Sequence, residues 1–378
     1  MLRAPHFTGA VILTVALLHR VAVALATVAL AACVIPALRA SHVDPMVALR
    51  AMNSRMSLRI LVCLICVAFS AQALWQVDNV VREDQDKTAA DLRARIEASP
   101  KLPFNGVHFA AKPPAISWES GAVSWVAVDR NGRIYEIQRG DKADPVLVLD
   151  RQGKVLRSWG KGDFNIPHSI RIDPSGNVWT VDAGSSVVIK YSPLGEKLMT
   201  ITVGEQPDNG RPFDGTTDIA FGPNGRLYIT DGYGNARVLE YTPDGKRVKQ
   251  WGKPGTGPGE FSLPHAIQVD EKGAVYVADR ENGRIEKFDL DGNFLGEIPH
   301  LGRVYSLKLV DGVLWSGMQP FNRPPGSAGW VVKFDCETGR ILGHLDVPEA
   351  RGLHSIEQMA SGEPLTTLGK ELLWFKAK

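Results

Sequence analysis

A pattern that recurs about every 40–50 residues constrains this chain most, because such a period is typical of propellers and solenoids. Three segments show it most clearly: Ile170–Asp182, Ile219–Asp231 and Ile267–Asp279. Each reads as a strand, a tight turn that contains glycine, and a second strand. Each then continues into a third β-rich run and a second turn. The chain is therefore expected to be all-β over this region.

Three further units extend the repeat at both ends of the region. They start at Val126–Tyr135, Leu307–Trp315 and Ile356–Gln358, which makes six units in total. Short strands with Gly, Pro, Asn and Asp turns indicate four-stranded antiparallel blades. A closed ring is favoured over an open solenoid because closure protects the strand edges. The predicted fold is a six-bladed β-propeller over residues 105–378, and its turn pattern resembles that of NHL repeats.

Three histidines occupy one repeat position in alternating units: His168, His265 and His354. They lie 97 and 89 residues apart, which is about two repeats each time. Alternate members of a six-membered ring are related by a threefold axis, so three imidazoles at the start of channel-lining strands converge on one point. Three imidazoles with an open fourth position are typical of catalytic zinc. The spacing therefore predicts a zinc site in the central channel.

Two more side chains stand where predicted strands end. Tyr233 lies between two glycines after one strand, and Arg139 follows the corresponding strand of the first unit. A phenol beside a guanidinium and a dication is expected to have a lowered pKa, which makes it a usable general base. The structural alternative is that Tyr233 is a surface aromatic and that Arg139 pairs with Asp141.

Several motifs follow one another in a family-specific order. Together they resemble the lyase domain of peptidylglycine α-amidating enzymes, peptidyl-α-hydroxyglycine α-amidating lyase. The resemblance is good from Gly121 to Gly292 and weak over the last two blades. The motifs that carry it are Val123–Asp129, Arg139–Asp141, Asp231–Arg237, Gln250–Gly252, Pro258–Phe261, Pro264-His265 and Ala278–Ile285.

This resemblance implies an activity and roles for individual residues. The three histidines would bind catalytic zinc, Tyr233 would act as general base with Arg139 beside it, and Arg280 would help to hold a carboxylate. The implied reaction cleaves the C–N bond of a carbinolamide to give an amide and glyoxylate. The substrate would be a peptide or small molecule with an α-hydroxyglycine-like end.

The resemblance also implies a structural calcium in the channel, which departures in this sequence put in doubt. The implied carbonyl ligands match Val126 and Ile170, but the one aspartate ligand is replaced by Ser355. Because Ca²⁺ depends on carboxylate charge for affinity, weak or absent binding is expected. Gly352-Leu353 and Gly234 also replace a Met-Pro and a disulfide cysteine of the family.

Two other function classes remain open. One is a non-catalytic NHL propeller that binds a peptide or a cell-envelope ligand, although such a face has no need of a trigonal imidazole cluster. The other is a metal-dependent lactonase-type hydrolase, whose sites use Glu, Asn and Asp around a hard cation, whereas imidazole favours zinc. The net charge of +2 gives no case for nucleic acid binding.

The N-terminal region is divided by its apolar runs. Residues 1–55 form an apolar segment in which Val21–Leu38 is a candidate short membrane helix. Residues 1–50 resemble the C-terminal end of a macrolide-exporter-type ABC permease, so this segment is expected to be a remnant or a mis-assigned start.

A signal peptide is predicted at residues 56–73, with an apolar run over Ile60–Ser70 and an Ala-x-Ala cleavage site at Ala71–Ala73. The protein is therefore expected to be exported, either periplasmic or secreted, and tethered to the membrane if residues 1–55 are expressed. Residues 74–104 are expected to form a linker or a surface helix.

Overall fold

The computed structural model describes residues 90–207, 212–321, 328–348 and 352–378. Within these ranges, twenty-four strands form six four-stranded antiparallel sheets, which are the blades of a propeller. The predicted all-β, six-bladed architecture is confirmed. The candidate membrane helix, the permease-like segment and the signal peptide lie outside the described residues. No helix among the described residues is long and apolar enough to span a membrane.

The first three blades run from the innermost to the outermost strand in sequence order. Blade 1 contains β2 (Val123–Val128), β3 (Ile134–Gln138), β4 (Val146–Leu149) and β5 (Val155–Trp159). Blade 2 contains β6 (Pro167–Ile172), β7 (Val178–Asp182), β8 (Val187–Tyr191) and β9 (Lys197–Thr202). Blade 3 contains β10 (Asp218–Phe221), β11 (Leu227–Asp231), β12 (Arg237–Tyr241) and β13 (Arg247–Trp251).

The last three blades complete the ring. Blade 4 contains β14 (Pro264–Val269), β15 (Val275–Asp279), β16 (Arg284–Phe288) and β17 (Phe294–Ile298). Blade 5 contains β18 (Arg303–Val310), β19 (Val313–Gln319), β20 (Gly329–Asp335) and β21 (Ile341–Val347). Blade 6 contains β22 (Gly352–Gln358), β23 (Pro364–Leu368), β24 (Glu371–Ala377) and, as its outermost strand, β1 (Phe104–Phe109).

Pairing between β1 and β24 closes the ring. The two strands are antiparallel, with Phe104 opposite Ala377 and Phe109 opposite Leu372. The start of the propeller therefore supplies the outer strand of its last blade. This leaves the ring joined by backbone hydrogen bonds between segments far apart in the sequence.

A short helix precedes β1 at residues 90–97. Leu92 and Ile96, one turn apart, are fully buried in the same cluster as Val304 and Trp330 of blade 5. The helix is therefore packed against the propeller through one apolar face.

The turn between the first two strands of a blade follows from its sequence. In blade 2 the carboxylate of Asp173 accepts hydrogen bonds from the backbone N–H groups of Ser175 and Asn177, at 2.9 and 2.8 Å. Gly176 in the same turn has a φ of 88°, a conformation that glycine adopts without a steric penalty. The Asp/Gly turn thus directs each chain segment back along the blade.

Candidate active site

The metal-candidate histidines lie at irregularities in the innermost strands. The register between β6 and β7 shifts between Pro167 and Ser169, and that between β14 and β15 shifts between Pro264 and Ala266. The extra residue in each case is a histidine. A bulge re-aims the side chain of its extra residue, and here it turns each imidazole toward the ring axis. His354 lies in a corresponding irregularity of β22.

The histidines lie in blades 2, 4 and 6. Blades 1, 3 and 5, which alternate with them, provide the hydrogen-bond acceptors that orient the imidazole rings. Their residues at the same strand position are Ser124, Thr217 and Tyr305, and each backbone carbonyl accepts a hydrogen bond from an imidazole. The three bonds are His168 Nδ1 to Thr217 O at 2.6 Å, His265 Nδ1 to Tyr305 O at 2.6 Å and His354 Nδ1 to Ser124 O at 2.9 Å. Because a carbonyl only accepts, Nδ1 carries the proton and Nε2 keeps its lone pair.

The three imidazoles converge. One ring nitrogen from each lies within 4.8 Å of the other two, and the ring centroids are 4.6–4.9 Å apart. Burial lowers the pKa of all three, to about 3 for His354. Neutral imidazoles with unprotonated Nε2 atoms are suitable zinc ligands, and the hydrogen bonds from Nδ1 to carbonyls hold such ligands in orientation. These three residues, His168, His265 and His354, are called the histidine cluster below, and their chemistry fits zinc.

Trp125 contacts the whole cluster, a residue that sequence reasoning did not single out. Its ring centroid lies 5.9 Å from that of His168, 6.2 Å from that of His265 and 5.6 Å from that of His354. The side chain is fully buried. It gives the three imidazoles a common apolar wall, which limits how far each ring can tilt. Its only signal in the sequence is its place one residue after the position equivalent to the histidines.

Tyr233 lies against two of the imidazoles. Its hydroxyl oxygen is 3.1 Å from Nε2 of His168 and 3.3 Å from Nε2 of His265. Since both nitrogens are acceptors, the phenol donates its proton toward them. Tyr233 is thus a site residue and not a surface aromatic. Its hydroxyl therefore contacts the same unprotonated nitrogen atoms that could bind a metal.

The pKa of Tyr233 is shifted by the protein groups around it. Burial raises it above that of a free phenol, although Arg280 and Arg139 oppose this effect. Without a metal ion, the cost of burying the phenolate exceeds the attraction of the two guanidinium groups, and the lowering predicted for a phenol beside a guanidinium and a dication stays a prediction.

Arg139 is held in place by two blades. Its Nε donates to the carbonyl of Pro167 at 2.9 Å, and its Nη2 donates to Oγ of Ser124 at 2.7 Å. The guanidinium carbon lies 5.2 Å from the ring centroid of Phe213, whose ring also contacts that of Tyr233 in a tilted arrangement, with centroids 5.0 Å apart. Arg139 is therefore a fixed cation in the wall of the site.

Arg280 lies between two aromatic rings. Its guanidinium carbon is 5.8 Å from the ring centroid of Tyr233 and 5.2 Å from that of Tyr305. Its Nε donates to Glu281 Oε1 at 2.9 Å. Tyr305 also lies 5.8 Å from the ring of His265. Tyr305 was not predicted as a site residue; its place at the histidine-equivalent position of blade 5 is the signal that would have found it.

The residues implied for calcium do not fit that ion. Ser355 Oγ accepts the backbone N–H of Val126 at 3.0 Å and carries no charge. Ile170 is followed in β6 by Arg171, whose guanidinium binds the nearby carboxylate of Asp218. A site with a neutral hydroxyl, and a carboxylate already paired with a buried cation, lacks the charge that Ca²⁺ requires.

Comparison with known proteins agrees with the fold. A family model described as DUF5128, a 6-bladed β-propeller, matches residues 218–312. Among solved structures, one of streptogramin B lyase is similar, with a TM-score of 0.53 and 17% identity over 73% of this chain and 98% of that chain. At this identity the structural likeness shows the fold alone.

Sequence relatives are more specific. The chain is 31% identical to mouse peptidyl-glycine α-amidating monooxygenase over 287 residues, 64% of this chain and 29% of the relative. It is 36% identical to Drosophila melanogaster peptidyl-α-hydroxyglycine α-amidating lyase 1 over 42% of this chain and 32% of the relative. It is 35% identical to mouse NHL repeat-containing protein 3 over 49% of this chain and 57% of the relative.

The first relatives are much longer than the region that they share with this chain. The chain spans between 23% and 33% of the length of the amidating monooxygenases that it matches. The chain is therefore a six-bladed β-propeller whose homologues include NHL-repeat proteins and peptidyl-α-hydroxyglycine α-amidating lyases.

Proposed function

We propose that this protein is a zinc-dependent lyase that cleaves the C–N bond of a carbinolamide to give an amide and glyoxylate. The observation that carries the proposal is the convergence of three neutral imidazoles on one point, with their Nε2 atoms unprotonated and two of them within hydrogen-bond distance of the half-buried phenol of Tyr233. Homologues named as amidating lyases support this reaction over others that the same metal set permits.

The three Nε2 atoms of the histidine cluster would hold the metal. Zinc supplies a Lewis acid that makes the α-hydroxyl of the substrate more acidic. The carbonyls of blades 1, 3 and 5 fix the tautomers of the three rings, so the metal-binding nitrogens need no rearrangement. The common wall formed by Trp125 keeps them in one arrangement.

Tyr233 would react as the phenolate, its own proton having been released to solvent before the substrate binds, and would serve first as base and then as acid. Its oxygen removes the proton of the α-hydroxyl, the carbon–oxygen double bond of glyoxylate forms, and the C–N bond breaks with its electron pair moving to nitrogen. The same phenol then returns the proton to nitrogen, giving the neutral amide. Atoms and charge balance without water. Arg139 and Arg280 both favour the phenolate, which offsets part of the cost of burying it.

Arg280 is the group in this site best suited to the substrate carboxylate. A guanidinium binds a carboxylate through two parallel hydrogen bonds, and the two flanking tyrosine rings restrict its orientation. The carboxylate end of an α-hydroxyglycine would thus be placed beside the histidine cluster.

The test is release of glyoxylate from a synthetic N-acyl-α-hydroxyglycine by the zinc-loaded protein. Tyr233→Phe keeps the ring and removes the proton acceptor, so we expect the rate to fall by about 10²- to 10⁴-fold while zinc content is unchanged. Tyr191→Phe, in the interior of blade 2, is the matched control and should retain the parent rate. Equal glyoxylate release by Tyr233→Phe and the parent would rule the proposal out.

A further inference from the structure

Arg171 lies three residues after His168 in β6 of blade 2. Its side chain is almost completely buried, and its guanidinium carbon is 4.9 Å from the ring centroid of Trp125. The same indole contacts all three imidazoles. A permanently charged group is thus placed at the propeller axis, one side chain away from the histidine cluster.

The bonds of Arg171 cross the ring. Its Nε donates to Oδ1 of Asp218 at 3.0 Å and its Nη2 to Oδ2 at 2.6 Å, which is a bidentate pair between blades 2 and 3. Nη2 also donates to the carbonyl of Leu307 in blade 5 at 3.3 Å. Asp218 Oδ2 accepts the backbone N–H of Ile267 in blade 4 at 3.1 Å. With Trp125 in blade 1, one ion pair connects five of the six blades.

We propose that the Arg171 guanidinium, paired with Asp218, serves as the built-in structural cation of the propeller axis and takes the place of a calcium ion. A channel metal would gather a carboxylate and carbonyls from several blades. Arg171 contacts the same kinds of group through its N–H donors, which bind the carboxylate of Asp218 and the carbonyl of Leu307.

Charge supports this assignment. Arg171 and Asp218 together are neutral, and both are buried. A divalent ion beside this pair would place two further positive charges next to a buried guanidinium, where the low dielectric makes repulsion costly. The neutral Ser355 at the position implied for a calcium carboxylate agrees with a site that already contains its cation.

The arrangement also separates the two ends of the channel. A cavity of about 330 Å³ opens at the far ends of the innermost strands, and its walls include Arg171, Asp173, Lys308 and Glu357. The histidines and Trp125 do not line it. Arg171 therefore lies between this cavity and the indole of Trp125.

The experiment compares melting temperatures in calcium-free buffer and with millimolar CaCl₂, with equal added zinc in every sample. The parent should melt at the same temperature in both. Arg171→Ala leaves the Asp218 carboxylate buried and unpaired, so its melting temperature should fall by several degrees. Calcium should restore part of that loss, and should restore more of it in Arg171→Ala/Ser355→Asp, where a second carboxylate is supplied.

Arg171→Lys is the matched control, because it keeps the positive charge and loses only the planar guanidinium that bonds both carboxylate oxygens of Asp218. It should be less stable than the parent and insensitive to calcium. The proposal is overturned if calcium raises the melting temperature of the parent, or if neither alanine variant responds to calcium. If the alanine variants do not fold, a calcium response in the parent or in Arg171→Lys still overturns it, and none in either supports it. No glyoxylate measurement enters, so this result is independent of the proposed reaction.

Discussion

Nδ1 of His168 donates a hydrogen bond to the backbone carbonyl of Thr217 at 2.6 Å, and this contact fixes which nitrogen of the ring faces the axis. The same relationship joins His265 to Tyr305 and His354 to Ser124. Each histidine is oriented by the next blade around the ring. The metal-binding geometry is therefore a property of the assembled propeller, and changes in the alternate blades should affect it.

Zinc content is the most direct measurement on the cluster. The purified protein is expected to contain about one zinc per chain, since three imidazoles and an open position are typical of such sites. His265→Ala should lose the metal because two imidazoles remain. His108→Ala should keep it, since that exposed ring contacts Glu371 on blade 6 and lies outside the cluster. Elemental analysis gives the ratio; a zinc-free parent would contradict the lyase proposal and favour a binding module.

Arg280→Lys tests the carboxylate site. The lysine keeps the charge but loses the bidentate fork, so we expect KM for the carboxylate substrate to rise by roughly 10- to 100-fold, from about 1.5–3 kcal/mol of lost charge-assisted hydrogen bonding. Steady-state kinetics on the acid and on its carboxamide analogue make the comparison. A KM increase of the same size for both compounds would show that Arg280 does not bind the carboxylate.

Tyr305 has two separable contributions. Its backbone carbonyl orients His265, and its ring lies 5.2 Å from the Arg280 guanidinium. Tyr305→Leu keeps the carbonyl and removes the ring, so zinc content should be unchanged while kcat/KM falls by about 2- to 30-fold, from ~0.5–2 kcal/mol of cation–π attraction. Tyr305→Phe should behave as the parent does. Loss of zinc from Tyr305→Leu would refute this division of roles.

Glu136 should make stability depend on pH. It is buried on β3, and both carboxylate oxygens lack a hydrogen-bond partner among the described residues. Burial raises its pKa from 4.5 to about 8. Between these values the folded protein holds a proton that the unfolded chain has released, so this residue lowers stability progressively as pH rises from about 4.5 through about 8.

Glu136→Gln removes that dependence, and its melting temperature should exceed that of the parent by several degrees at pH 9. The advantage should shrink toward pH 4, where the parent carboxyl is neutral in both states. Glu196→Gln, an exposed position in a turn of blade 2, is the control and should show no such trend. A constant difference between Glu136→Gln and the parent across this pH range would contradict the assignment.

The sequence predicted the blades well because their signals are local. Turn residues such as Asp173 and Gly176 act within a few positions, and strand alternation has a period of two. The helix at residues 90–97 was predicted only as one alternative, since nothing local shows that Leu92 and Ile96 find a surface on blade 5. The degree of burial that raises the pKa of Tyr233 could not be predicted either, because it depends on neighbours from other blades.

By itself, the sequence determined the sixfold repeat and the placement of the histidines in alternate repeats, since both follow from spacing along one chain. Only the tertiary structure decided which carbonyls hold the rings, that Trp125 contacts all three, and that Arg171 joins Asp218 and Leu307 across the axis. The physical reason is distance in sequence. These partners come from different blades, and closing the ring brings them together, so no short-range pattern records their contacts.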